Sequence, residues 1–104
     1  MELTKTEKSL LLYFESQSVD YGGTLESVRM NAGDYEIAKR WRDAGFVQFG
    51  RIAADDIKRT GGVARDHWCV LSDEAWALAH AERRARCERM MSKLTASRNG
   101  LQAA

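Results

Sequence analysis

The chain has 104 residues, 44% of them hydrophobic and 30% charged, with a formal net charge of +1. That length fits one domain around one core, and that balance excludes a disordered chain. No apolar stretch has the length of a bilayer span, the N-terminus lacks the apolar run of a secretory signal, and the two cysteines, Cys69 and Cys87, lie too far apart to suggest a disulfide framework. A membrane protein and a disulfide-stapled secreted scaffold are set aside, and a reduced cytoplasm is the expected compartment.

The charge is unevenly placed. Residues 1–38 hold three basic residues against seven acidic ones, whereas residues 39–104 hold thirteen against eight. Such asymmetry points to one end or face that meets an anionic partner.

Thr4 and Glu7 have capping-box spacing, and Leu10, Leu11, Tyr13 and Phe14 follow at helical intervals, so the first helix begins here. It is expected to fray near Ser16-Gln17-Ser18, with a turn at Tyr21-Gly22-Gly23. The segment Thr24 to Met30 is short, with Leu25, Val28 and Met30 apolar; it reads either as a stunted helix or as a strand fragment followed by a turn.

Asn31 is a good N-cap with Asp34 three residues on, and Ile37, Ala38 and Trp41 form one apolar stripe before Gly45 stops the helix. Phe46 to Ile52 is rich in aromatic and β-branched residues and reads as a strand; His67 to Leu71 reads as its antiparallel partner. Between them, Ala53 to Asp66 is expected to be a long, mobile hairpin loop with Gly61-Gly62 at its tip. Ser72 caps a final helix over Ala75 to Leu94, which is dense in alanine, arginine and glutamate. The expected organisation is a core over residues 1–71, a C-terminal helix over 72–96 and a frayed tail over 97–104.

The order helix, short element, capped helix, Ala44-Gly45-Phe46-Val47, strand, glycine-bearing loop, strand resembles the winged helix-turn-helix superfamily. Asn31 through Val47 carries most of the likeness, which covers roughly residues 4–71. The resemblance implies an α+β fold, mainly helical with a small β-hairpin. It also implies a recognition helix in the DNA groove, a hairpin wing on the backbone and a C-terminal helix of the kind used for dimerisation. The segments Val19 to Gly23, Phe49 to Ile52 and Leu71 to Trp76 also look like small uncharacterised proteins carried by bacteriophages and prophages, which implies a phage-associated setting.

With Ile37, Ala38 and Trp41 inward, Tyr35, Lys39 and Arg42 fall on an outward stripe suited to phosphates and base edges. Glu36 with Arg40, and Arg40 with Asp43, have the spacing of ion pairs on the same face, and these acids oppose contact with phosphate. Lys58, Arg59 and Arg65 flank Gly61-Gly62 with no acid between them, a layout that suits a phosphate backbone. In the C-terminal helix Trp76, Leu78, Ala79 and Ala81 are expected to pack on the domain. Beyond them Arg83, Arg84, Arg86 and Arg89 form a basic collar, and Cys87, Met90, Met91 and Leu94 form an apolar stripe that suits a dimer seam or a partner helix.

His67 and Cys69 share one side of a strand, but the paired spacing of a zinc site is missing, so neither a metal nor another cofactor is expected. No nucleophile elbow, phosphate-cradling glycine loop or carboxylate pair supports catalysis. The expected function is a small DNA-binding winged-helix protein acting as a dimer, a phage-associated regulator and not an enzyme. The competing reading is a winged helix turned protein-interaction module that binds no nucleic acid.

Overall fold

The computed structural model describes residues 1–57 and 65–97. It is mostly helical, with a small three-stranded antiparallel sheet, and so belongs to the α+β class.

Helix α1 spans Lys5–Tyr21 and opens with the expected capping box: Glu7 N donates to Thr4 Oγ1 at 3.1 Å and Thr4 N to Glu7 Oε1 at 2.8 Å. It does not fray at Ser16–Ser18. The Ser16 and Ser18 hydroxyls bond back to the Tyr13 and Phe14 carbonyls, and burial of Glu15 and Gln17 against other elements holds the last turns in place. Gly22, at φ 65°, ends the helix in the left-handed region.

Of the two readings open for the next segment, the structure selects the strand. β1 spans Thr24–Glu26 and is followed by a single 3-10 turn over Ser27–Arg29. Leu25 is fully buried, Met30 is buried, and Val28 stands in solvent. The deciding groups lie far along the chain: the Tyr13 hydroxyl accepts from Glu26 N at 3.0 Å and donates to Glu26 O at 3.3 Å, while β1 pairs with β3.

Helix α2 spans Ala32–Ala44, with a reciprocal Asn31–Asp34 capping box and Gly45 at φ 76° as its stop. β2 spans Val47–Arg51, and a short helical turn, α3, follows over Ala54–Ile57. The expected irregular loop therefore starts with a turn of helix, consistent with Asp55 and Asp56 complementing the N–H groups of a first turn. β3 spans Arg65–Leu71, beginning two residues earlier than its apolar pattern indicated, and α4 spans Asp73–Ser97 with the Ser72 hydroxyl accepting from Ala75 N.

The sheet has the order β1-β3-β2, all antiparallel, with Val47 opposite Leu71 and Phe49 opposite Cys69. Leu25, Val47, Phe49, Cys69 and Leu71 project to the inner face, where α1 and α2 bring Leu11, Phe14 and Trp41. Phe14 is the hub: its ring stacks on Phe49 and meets Trp41 edge-on, both at close to 6 Å between centroids.

Helix α4 packs along α1 through a different register from the expected one. Ala75 and Ala79 are fully buried, Leu78 is partly buried, and the charged Glu82 continues the stripe. Trp76 (38% exposed) and Ala81 lie outside it, a correction to their expected burial. The two small residues permit close approach of the helices, which the bulk of Trp76 would prevent.

Candidate nucleic-acid interface

The six sequence-derived nucleic-acid candidates do not form one surface. Tyr35 is half-buried rather than outward: its ring meets the edges of Phe49 and His67 at 6.2 and 5.6 Å between centroids. The stripe assignment failed there because helix α2 covers the β2–β3 pair from its first turn, which brings position 35 over the sheet. Lys39 and Arg42 are exposed as expected. Lys39 pairs with Glu36 at 3.8 Å and Arg42 with Asp43 at 3.3 Å. Arg40 reaches across to Glu7 of α1 at 3.5 Å instead of the expected partners on its own helix. Across α2 three cations meet three acids, so the helix face is charge-balanced.

Arg65 is removed from the candidate surface altogether. It belongs to β3, its side chain is only 11% exposed, and its guanidinium is engaged inside the fold. Nη1 donates to Gln17 Oε1 at 2.9 Å and to Thr24 O at 2.7 Å, Nη2 reaches Glu26 at 3.2 Å, and the group lies over the Tyr21 ring. A bulge between Leu25 and Glu26 shifts the pairing register where Arg65 faces Glu26. Lys58 and Arg59 lie outside the described residues.

His67 and Cys69 serve the core. The His67 ring stacks on Phe49, and its Nδ1 lies 3.1 Å from Asp66 Oδ1. Burial would raise the Asp66 carboxyl, but bonds from His67 and Ser27 outweigh it and hold the group below its ordinary value. Burial pushes the Cys69 thiol up to about 11, opposed only by its contact with the Ser18 hydroxyl. A thiol so placed is a poor nucleophile at neutral pH. Among the described residues no group of three His, Cys, Asp or Glu side chains converges as metal ligands would, and no helix is long and apolar enough to cross a membrane.

The C-terminal helix contains what the sequence pattern missed. Glu82 is buried and draws in the collar: Arg86 Nε and Arg89 Nη2 each reach its Oε2 at 2.9 Å, and Lys8 of α1 reaches Oε1 at 3.7 Å. The Arg86 bond leads in holding the Glu82 carboxyl below its ordinary value, with Arg89 and Lys8 adding to it against the opposing effect of burial. Arg83 bonds Glu15 and the Leu12 carbonyl, and Arg84 pairs with Glu88. The collar is thus partly a structural clamp between α4 and α1. The spacing Lys8…Glu15…Glu82…Arg86 carried no signal, because a buried carboxylate on a helix looks like any solvated one.

Beyond Glu82, α4 carries no buried side chain among the described residues. Every side chain from Arg86 to Ala96 is exposed, including Cys87, and Met90, Met91 and Leu94 show 58, 56 and 42% of their surface. Beside this segment runs a groove of about 530 Å³ between α1 and α4, lined by Lys5, Lys8, Arg86, Arg89, Lys93 and Met90, with Ser9 and Glu82 completing it.

No protein-family model matches the chain, nor does any curated protein or solved structure.

Proposed function

We propose, from the chain's own geometry, that this is a small DNA-binding winged-helix module, with α2 as the helix offered to the groove and the β2–β3 hairpin as the wing. One observation carries the reading. The order α1, β1, turn, α2, β2, β3, with the sheet order β1-β3-β2, leaves α2 packed by one stripe and Lys39 and Arg42 in solvent on another. In this reading the helix that usually precedes the recognition helix is reduced to the 3-10 turn Ser27–Arg29. The exposed Lys39–Glu36 and Arg42–Asp43 pairs are weak and open readily for a phosphate. Lys58 and Arg59 of the hairpin complete the contact set, without Tyr35 and Arg65. A phage-associated regulator is the setting that goes with this proposal.

Fluorescence anisotropy with random-sequence duplex DNA tests it. Four phosphate contacts give a slope of about −4 in log affinity against log salt. Replacing Lys39 and Arg42 by alanine, or Lys58 and Arg59 by alanine, reduces the magnitude of that slope by about two in each case. No measurable binding at low salt overturns the DNA reading.

A further inference from the structure

We infer that the exposed half of α4 is a docking surface for an acidic amphipathic helix of a protein partner. The inference is independent of the DNA reading. Cys87, Met90, Met91 and Leu94 recur at i, i+3, i+4 and i+7, which places them on one stripe of a helix segment whose side chains are all in solvent. Burying such a stripe is favourable, and three large apolar side chains left out of the core of so small a protein mark an interaction site.

Charge selects the occupant. Residues 82–97 hold five cations, Arg83, Arg84, Arg86, Arg89 and Lys93, against two acids, Glu82 and Glu88, which leaves the segment at +3. The groove beside the stripe shares Met90 with it and adds Lys5 and Lys8 from α1, so cations rise on a second element as well. A second copy of the chain would bring one cation-rich segment against another, and flanking charges of like sign disfavour helix pairing. A membrane-surface helix has a broad face of bulky leucines and aromatics, whereas this stripe has two methionines, one cysteine and a single leucine. Methionines adapt their shape to a helical partner's face. A helix with an apolar stripe and glutamate or aspartate on its flanks meets both the stripe and its basic rim.

The test titrates the full chain against a fluorescein-labelled designed peptide of about three heptads, leucine at a and d and glutamate at e and g, and against its lysine counterpart. The glutamate peptide binds and the lysine peptide does not. Combined Met90→Ser, Met91→Ser and Leu94→Ser weakens binding by about tenfold or more. Because these side chains are exposed, the thermal melt of the variant stays that of the parent chain. Combined Arg84→Glu and Lys93→Glu transfers preference toward the lysine peptide. Equal binding of both peptides, or binding untouched by the triple substitution, overturns the inference. So does a dimer mass in light scattering that the triple variant converts to monomer, which seats a second copy on the stripe. Cosedimentation with phosphatidylserine vesicles in the absence of glutamate-peptide binding overturns it in favour of a membrane surface.

Discussion

The central carbon of the Arg65 guanidinium lies 3.5 Å from the centroid of the Tyr21 ring. The same group bonds Gln17, Thr24 and Glu26, so one side chain from β3 joins the end of α1 to β1. Arg65→Ala removes the cation that Gln17, Thr24 and Glu26 share and leaves Glu26 paired with the exposed Arg29, at a cost of about 3 kcal/mol. Arg65→Lys keeps the charge but loses the planar fork, at about 1–2 kcal/mol. Urea denaturation checks both; an alanine variant within about 0.5 kcal/mol of the parent chain would show the cluster to be incidental.

Two adjacent glycines separate backbone strain from steric collision. At Gly23, φ is 93° and an added Cβ would stand 2.5 Å from the Cys69 carbonyl oxygen, on the backbone that also donates to Gly23 O at 2.8 Å. Gly22, at φ 65°, has open space around the same position. Gly22→Ala therefore costs about 1 kcal/mol in left-handed strain alone, and Gly23→Ala about 3 kcal/mol because strands β1 and β3 must also part. Comparable melting temperatures for the two variants would contradict this assignment.

The two thiols differ in chemistry because they differ in burial. Iodoacetamide at about pH 8 alkylates exposed Cys87 in the native chain and leaves Cys69, pushed up to about 11 by burial, unmodified until denaturant is added. Intact-mass spectrometry reads one adduct before unfolding and two after. Two adducts under native conditions would place Cys69 within reach of solvent.

Asp66 and Glu82 set the acid limb of stability. Both carboxyls are held below their ordinary values of 3.8 and 4.5, Asp66 by His67 and Ser27 against the effect of burial, and Glu82 by Arg86 first, then Arg89 and Lys8. A carboxyl of this kind stabilises the fold above its unfolded value, and that contribution disappears as pH falls through its lower folded value. Stability should therefore fall as pH drops below about 4.5, the higher of the two unfolded values. Asp66→Asn and Glu82→Gln each lower stability at neutral pH and flatten this decline. Equilibrium unfolding between about pH 2 and 7 measures it, and an undiminished slope in both variants would remove these carboxyls from the account.

Much of the frame was legible in local patterns. Thr4 with Glu7 and Asn31 with Asp34 cap the two helices as their spacing indicated, Gly45 ends α2, and Ile37, Ala38 and Trp41 are buried. The candidate site was far less legible. Lys39 and Arg42 emerged in solvent, but Tyr35 turned onto Phe49 and His67, and Arg65 became part of the interior. Helical spacing ranks the faces of a helix without stating how wide the buried one is, and a cation beside a glycine-rich segment reads the same whether it meets water or a half-buried glutamate.

Capping, periodicity and turn chemistry act within a few residues, and so the sequence by itself determined where α1 and α2 begin, how α2 stops, and that two strands follow. The fate of Thr24–Arg29, the burial of Glu82, the exclusion of Trp76 and the internal role of Arg65 were decided only by tertiary structure. Each depends on partners far along the chain: Glu26 on Tyr13, Glu82 on Lys8, Arg65 on Gln17 and Tyr21. The free energy of burying a polar group is set by whether such a partner arrives, and folding alone brings it there.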